Sequence, residues 1–346
     1  MVVKLVVREY VVTQRKFDVE FLNGSINLFN YGYLEQRNKP SANFNLLKLR
    51  EKGHSLSQKA AQMWCLTRAL PFLLCGKVSE DDEYMQLILS LLRVMEIIFA
   101  PRIPVSSLPY LDDVYNEFFS SFVALFPNVD LINKMHHGSH GRECIQWSGP
   151  LSLYNCIRFE AKHSELKLRA QNVHNFKNAP KTLVRVSQAV QCSRWYSGDV
   201  KIDKLDIISG ENKFVCHTQS REYLRQMNSA DDKSVFCARS VEVNGVEYRK
   251  HLFIVLEKAS TSSNDLITFG EIREIIVIGE KVFLLTSVCT TLYFDTSVHA
   301  YCIELSDLND SNTFTETSKL PFHKTFCYWT KPTSDALYIS LRHIIL

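Results

Sequence analysis

Two histidines and a cysteine with metal-ligand spacing lie in the middle of the chain. His136 and His140 are four residues apart, which would place both imidazoles on one face of a helix, and Cys144 adds a thiolate. Gly138 and Gly141 weaken the helix that this geometry needs, and no second pair of ligands stands at a recognised zinc spacing. The sequence therefore leaves two interpretations, a zinc site and hydrogen-bonded structural histidines, and the glycines favour the second.

A strongly basic stretch follows these residues. Positions 158–194 include eight basic and two acidic residues, whereas the whole chain, with 40 Lys and Arg against 37 Asp and Glu, has a net charge of only +3. Nucleic-acid binding would therefore come from this local cluster and not from global charge. The side chains that we expect to contact a phosphate backbone are Arg158, Lys162, Lys167, Arg169, Lys177 and Lys181. The alternative is a solvated helix face whose side chains contact only water.

The length and composition are those of an ordinary globular protein. The 346 residues predict about two domains, and hydrophobic residues at 46% with charged residues at 22% exclude a disordered or collagen-like chain. The ten cysteines form no Cys-x-x-Cys pair, so we interpret them as reduced thiols of an intracellular protein. Charged residues interrupt every long apolar stretch, so we expect neither a signal peptide nor a membrane-spanning helix. The motifs of nucleotide-cradling loops, serine hydrolases and zinc proteases are absent from the sequence.

Apolar residues at helical spacing between positions 54 and 127 predict the elements of the N-terminal part. We expect one helix to end or kink at Pro71. A second should begin after Ser79, with Ser79 and Asp82 as a capping box, and a third should span 107–125. The β-branched residues at the N-terminus predict a short leading strand.

After about residue 195 the pattern changes to short alternating runs of β-branched and aromatic residues, which is typical of antiparallel strands. Asn244-Gly245 between two such runs predicts a type I′ hairpin. Further strands are expected at 253–256, 272–278, 282–288, 299–305 and 337–345. The Ser, Thr and Asn-rich stretches at 259–264 and 306–318 are expected loops. The predicted fold class is α+β, with a mainly helical region at 1–195 and an antiparallel β barrel or sandwich at 196–346.

Several short motifs of this chain occur together in one known group of proteins. They are Lys134-x-His136-x-x-x-His140, Gly149-Pro150-Leu151, the RFEAKH string at 158–163, Asn175-Phe176-Lys177-Asn178, Phe29-x-Tyr31-Gly32 with Glu35, and Asn244-Gly245-x-x-Tyr248. With these motifs the chain resembles the C-terminal half of transposase-derived proteins of animal genomes, which are similar to CACTA (EnSpm)-type DDE transposases. The resemblance covers nearly the whole chain.

This resemblance implies a particular chemistry and its loss. Such transposases cut and join DNA with two metal ions, held by three carboxylates on an RNase H-like sheet. Glu160 matches the third carboxylate, and the first two are expected upstream of the first residue of this chain. The resemblance therefore implies an inactive relic of the RNase H-like core, with no cofactor, and Mg²⁺ only if nuclease activity survives. Glu160 has a plainer interpretation too, as an ion-pair partner of Lys162 or Arg158.

The sequence thus leaves two main functions open. The first is a truncated or domesticated transposase-derived protein that no longer cleaves but still binds DNA through the basic stretch, with a nuclear location implied by the resemblance. The second is a non-catalytic module that binds a protein partner through the β domain. A nuclease completed by carboxylates of another chain is a third interpretation. No membrane partner is expected.

Overall fold

A computed structural model gives the arrangement of most of the chain. It describes residues 1–154, 157–173, 177–197, 205–227, 230, 233–258, 266–305 and 312–345, and the side chains of 157–162, 164 and 173 lie outside the description. Helices form the part up to residue 196, and an antiparallel sheet with one short helix forms the part from residue 205. The predicted α+β class is therefore confirmed.

The chain begins with a helix where the sequence predicted a strand. Helix α1 spans Val2–Arg8, and a π-helical turn, Glu9–Thr13, continues it. Six consecutive residues of α1 are buried, so the helix is covered on all sides and the sequence shows no helical alternation. The prediction was wrong because a fully buried helix of β-branched residues has the composition of a strand. Buried Lys4 donates from Nζ to the carbonyl oxygen of Glu51 at 3.1 Å.

Six more helices complete the first 125 residues. They are α2 (Val19–Leu28), α3 (Gly32–Glu35), α4 (Leu46–Arg50), α5 (Ala60–Leu73), α6 (Glu83–Ile98) and α7 (Leu108–Leu125). The third predicted helix is confirmed as α7. Helix α5 continues through Pro71 and ends two residues later. Asp82 caps α6 and accepts from the amides of Tyr84 and Met85 at 3.0 and 3.1 Å, so the predicted capping role of Ser79 was wrong.

The remaining helices are more peripheral. They are α8 (Asn133–Ser139), α9 (Gly141–Ser148), α10 (Ile157–Val173), α11 (Ala179–Tyr196) and, within the sheet region, α12 (Arg221–Gln226). Helices α10 and α11 follow each other in the chain and contact each other, and we refer to the two helices together as the α10–α11 hairpin. No residue of α11 is buried. In the described ranges, no helix has the length and apolar character that crossing a membrane requires.

In the part of the chain that the structure describes, ten strands form one antiparallel sheet, which is open and curled like half of a barrel. They are β1 (Leu205–Phe214), β2 (Ser234–Val243), β3 (Val246–Arg249), β4 (Phe253–Glu257), β5 (Thr268–Ile278), β6 (Lys281–Asp295), β7 (Ala300–Leu305), β8 (Asn312–Glu316), β9 (Trp329–Lys331) and β10 (Ser334–Ile339). The order is β1-β2-β5-β6-β7-β10-β9, and β3, β4 and β8 pair with β2, β5 and β6 respectively.

Two turn and loop predictions had different outcomes. The β2–β3 hairpin is confirmed, with Asn244 and Gly245 at φ +51° and +76°, the two positive angles of a type I′ turn. The predicted loop at 306–318 was wrong in part, because β8 lies within it and pairs with β6. Its first six residues, and the predicted loop at 259–264, lie outside the described residues.

One hydrophobic cluster joins the helical part to the sheet. Phe72 of α5 contacts Trp329 of β9 and Tyr338 of β10, with ring centroids 5.3 and 5.8 Å apart. Trp329 also donates from Nε1 to the carbonyl oxygen of Tyr31 at 3.1 Å. Buried residues of α1, α2, α5, α6 and α7 belong to the same cluster as buried residues of β7, β9 and β10. The last strands of the sheet therefore complete the core of the helices.

Candidate functional site

A cleft of about 410 Å³ opens between α6, α7 and the turn that joins β6 to β7. Aromatic and aliphatic side chains form most of its wall, namely Leu89, Ile97, Tyr110, Phe294, Tyr301, Leu341 and Ile344. The polar side chains on the wall are Gln86, Arg93, Glu96, Thr296 and His299. Small-molecule sites commonly combine this size with a few polar groups among apolar walls. We therefore treat the cleft as a candidate binding site.

Glu96 and His299 meet in this cleft. Nε2 of His299 lies 2.8 Å from Oε2 of Glu96, and the two side chains are only 10% and 15% exposed, His299 being the more buried. The contact lacks hydrogen-bond geometry, so Nε2 has no directed hydrogen-bond partner among the described atoms. The ring of Phe294 stands edge-on to the imidazole, with centroids 5.1 Å apart. A buried imidazole beside a carboxylate can exchange a proton with it or bind a ligand group between them.

The local backbone positions both residues. Glu96 lies in the last turn of α6, and its carbonyl oxygen accepts from the amide of Ile344 at 3.1 Å. His299 ends the turn between β6 and β7 in the left-handed conformation, at φ +55°. Asp295 holds that turn, because its Oδ1 accepts from the amide and the hydroxyl of Ser297 at 3.0 and 2.7 Å. A left-handed histidine is uncommon, so the turn, more than its intrinsic preference, fixes its conformation.

Two further side chains set the polarity of the cleft. Burial, and secondarily the negative charge of Glu96, raise the pKa of Tyr301 to about 12. The phenol is therefore protonated at neutral pH and keeps a hydrogen-bond donor. At the mouth, Nη2 of Arg93 contacts Oε1 of Glu117 at 2.5 Å, and both side chains are substantially exposed. The positive charge of Arg93 is thus already balanced.

A buried ion-pair network lies beside the cleft. Nη1 of Arg68 contacts Oε1 of Glu35 at 2.6 Å, and Nε of Arg342 contacts the same oxygen at 2.9 Å. Asn38 donates to the other carboxylate oxygen of Glu35 at 3.0 Å. Burial alone would raise the pKa of Glu35, but the two arginines and these hydrogen bonds outweigh it and hold the pKa below its usual range. Glu35 is therefore ionised at neutral pH.

The two predicted zinc-site histidines are close to each other. Their ring centroids are 4.9 Å apart, and His140 lies at the break between α8 and α9. Nδ1 of His140 is 3.6 Å from Oε2 of Glu143, and Cys144 is exposed on α9. Among the described side chains, no group of three His, Cys, Asp or Glu residues is placed to hold a metal ion. The zinc site of His136, His140 and Cys144 stays a prediction.

The predicted DNA-contacting residues lie on the α10–α11 hairpin. The side chains of Arg158, Lys162 and of the carboxylate candidate Glu160 fall outside the description, although their backbone belongs to α10. Arg169 is engaged in an ion pair with Glu165, at 2.6 Å.

Lys167 is exposed on α10. Lys177 is exposed just before α11, and Lys181 is exposed in the first turn of α11. The remaining basic residues of α11, Arg185 and Arg194, are exposed as well. Lys181 and Arg185 are one helical turn apart and share a face with Trp195, whose exposed fraction is 62%. The adjacent Tyr196 is 97% exposed. The hairpin thus presents cations and aromatic rings together.

Comparison with models of known protein families, with curated proteins and with solved structures found no match to this chain. The functional conclusion therefore depends on the described residues. Sequence reasoning missed the Glu96–His299 pair, because the two residues are distant in sequence and no motif joins them. A signal was present in the Asp295-x-Ser297 turn before His299, which places that histidine at a strand start.

Proposed function

We propose that this protein binds nucleic acid through the α10–α11 hairpin without cutting it, and that it is a transposase-derived protein whose helical region is a remnant of an RNase H-like core. The observation that carries the binding proposal is α11, an 18-residue helix with no buried residue. A helix in a globular protein usually buries an apolar stripe, so α11 contributes little to the core of this protein. Its basic surface is what the hairpin offers to a partner.

The chemistry of this surface fits a polyanion. Lys181 and Arg185 lie on one face of α11, separated by about 6 Å along the helix axis, and Lys167 adds a positive charge on α10. Such cations release the counterions of a phosphate backbone when they bind it, which gives a salt-dependent, weakly sequence-selective affinity. Exposed Trp195 and Tyr196 add rings on which unpaired bases can stack. Single strands should therefore bind at least as well as duplexes.

The experiment compares three matched proteins by fluorescence anisotropy with a labelled duplex and a labelled single strand. They are the unmodified chain, the variant Lys167→Gln, Lys181→Gln, Arg185→Gln, and a control with three exposed lysines changed elsewhere, Lys52→Gln, Lys233→Gln, Lys319→Gln. The variant should lose at least tenfold in affinity at low salt and the control should stay near the unmodified protein. Equal losses in variant and control would contradict a specific role for the hairpin.

The same samples test cleavage. After incubation with Mg²⁺ or Mn²⁺, both strands should stay intact on a denaturing gel. Cleavage that Glu160→Gln abolishes would refute the non-cutting proposal and support the nuclease interpretation.

One observation favours the alternative, a protein-binding β domain. Strand β1 is at the edge of the sheet, pairs only with β2 among the described strands, and exposes Ile207, Ile208 and Phe214 by about half. An exposed edge strand with apolar side chains can add a strand from another chain. Loss of a partner on Ile208→Lys, with DNA binding unchanged, would support this second function.

A further inference from the structure

The Glu96–His299 cleft is not used by the proposed function. Its volume of about 410 Å³ is within the range of small-molecule sites, which span roughly 300 to 1,000 Å³. It is enclosed by elements that are distant in sequence, α6 and α7 on one side and the β6–β7 turn on the other. The cleft is therefore built by the tertiary fold and not by one loop.

The polar atoms in the cleft are incompletely satisfied. Nε2 of His299 is buried and has no directed hydrogen-bond partner in the described part of the chain, although Oε2 of Glu96 is only 2.8 Å away. Buried polar atoms in native proteins nearly always have a partner, because leaving one without a hydrogen bond is costly. A ligand that bonds to His299 and Glu96 together would remove this cost. It needs a hydrogen-bond donor for the carboxylate and a second polar atom for the imidazole beside it.

The charges in the cleft select an uncharged ligand. Arg93 is paired with Glu117, and the carboxylate of Glu96 is in contact with His299. On the far side of the pair, Arg68 and Arg342 are both engaged by Glu35. Each of these charges already has a partner, so neither an anion nor a cation would find an unpaired counter-charge among them to offset its desolvation. A neutral molecule avoids that desolvation.

The aromatic walls select a flat ligand. The rings of Phe294 and Tyr301 stand at 66° to each other with centroids 4.9 Å apart, and Tyr110 of α7 is a third aromatic residue on the wall. Aromatic rings prefer offset or edge-on contact with other rings, which favours a planar aromatic ligand over an aliphatic one of the same size. The phenol of Tyr301 supplies a further donor at this wall.

We propose that this cleft binds a neutral planar heteroaromatic base, one that presents a donor and an acceptor side by side on one ring edge, as a nucleobase does. Glu96 accepts from the exocyclic amine, and His299 bonds to the neighbouring ring nitrogen. Phe294 and Tyr301 contact the ring. The same chemistry could reach the cleft as a free base or nucleoside, or as an unpaired base of a strand.

The test is isothermal titration of the full chain with adenine, adenosine and a short single strand of deoxyadenosine, and with indole as a planar ligand that lacks the acceptor. Adenine should bind saturably and at least tenfold more tightly than indole. Binding of adenine and adenosine but not of the strand identifies the free base as the ligand. Binding of the strand that survives the hairpin substitutions but not the cleft substitutions identifies an unpaired base.

Three variants and one control locate the site. Glu96→Gln keeps the shape but removes the charge, and Tyr301→Phe removes one hydroxyl. His299→Asn removes the imidazole with a residue that accepts the left-handed backbone. Glu96→Gln and His299→Asn should each weaken adenine binding at least tenfold, whereas Glu304→Gln, exposed on the same strand β7, should not change it.

The proposal does not depend on nucleic-acid binding by the hairpin. If the hairpin substitutions do not weaken nucleic-acid binding, the expectation that the cleft binds adenine is unchanged. If adenine does not bind, the expectation that the hairpin binds nucleic acid is unchanged. Absence of saturable adenine binding would overturn the inference about the cleft. Adenine binding that stays unchanged in folded Glu96→Gln and His299→Asn proteins would overturn it too, and if one of these variants does not fold the other decides alone.

Discussion

Arg68 on α5 and Glu35 on α3 form an ion pair of 2.6 Å in which both side chains are more than nine-tenths buried. Nη2 of Arg68 also donates to the carbonyl oxygen of Ser340, which follows the last strand of the sheet, at 2.6 Å. The pair thus connects three parts of the chain that are distant in sequence. Burial of two charges is costly, so the network stabilises the fold only while every member is present.

Removal of one charge from this network should be strongly destabilising. Glu35→Gln leaves Arg68 buried without its counter-charge, and we expect a loss of about 3 to 5 kcal/mol in the free energy of unfolding. The measurement is urea denaturation monitored by tryptophan fluorescence. The control is Glu117→Gln in the exposed pair with Arg93, which should cost less than about 1 kcal/mol. Similar losses in the two variants would contradict the role of burial.

The contribution of Glu35 to the stability of the fold should depend on pH. Because the folded pKa of Glu35 is lowered, an unfolded chain takes up a proton near pH 4.3 while the folded chain does not. The stability that Glu35 contributes is present above about pH 4.3 and is lost as the pH falls through the folded pKa. The difference in unfolding free energy between the unmodified protein and Glu35→Gln should therefore narrow below about pH 4. A difference that is constant from pH 7 to pH 3 would refute this.

Asp82 should be the residue that fixes the beginning of α6. Its carboxylate accepts from two amides of the first turn, from the hydroxyl of Tyr10 and from Nζ of Lys16. Asp82→Ala removes the cap and leaves Lys16 unpaired, so we expect a loss of about 2 kcal/mol. Ser79→Ala is the matched control and should stay within about 0.5 kcal/mol. Thermal unfolding of both variants tests this. An equal loss of unfolding free energy in the two variants would indicate that Ser79 caps the helix as much as Asp82 does.

Gly32 should tolerate no side chain. Its backbone is at φ +68°, and a Cβ placed there would lie 2.5 Å from Cβ of Cys327. Gly32→Ala should therefore lose about 2 kcal/mol or more of unfolding free energy. Gly24→Ala, in α2 with open space around the added methyl, should instead gain about 0.5 to 1 kcal/mol. Chemical denaturation of both proteins gives the comparison, and a neutral Gly32→Ala would show that α3 can move away from Cys327.

The salt dependence of DNA binding should report how many cations touch phosphate. Each phosphate contact contributes about 0.9 to the slope of log affinity against log salt on duplex DNA. Removal of Lys167, Lys181 and Arg185 together should reduce that slope by about 2.7. Anisotropy titrations at four salt concentrations measure it. A weaker affinity with an unchanged slope would mean that these residues do not contact phosphate.

The elements with a one-sided apolar stripe could be predicted from the sequence. The buried side chains of α7 recur at the helical spacing that the sequence shows, at Leu108, Leu111, Val114, Tyr115, Phe118 and Phe122. The Asn244-Gly245 hairpin was equally readable, because few dipeptides accept two positive φ angles. Helix α1 was not, since burial on every side removes the alternation on which such predictions depend.

The candidate sites divide in the same way. The basic hairpin is visible as a run of Lys and Arg, because its residues are neighbours in sequence. The pairs Glu96–His299 and Glu35–Arg68 join residues from different parts of the chain, so only the packing of the sheet on the helices brings them together. The sequence shows each of these residues as an isolated polar side chain.

The Trp329–Tyr31 hydrogen bond has a consequence for synthesis of the protein. Tyr31, just before α3, and Phe72 in α5 leave the ribosome long before β9 and β10, whose Trp329 and Tyr338 cover them. At a translation rate of about 5 to 20 residues per second, this helical surface stays uncovered for on the order of ten seconds or more. Over that interval the nascent chain exposes apolar surface that the last strands later bury, so it can aggregate or bind a chaperone before its synthesis is complete.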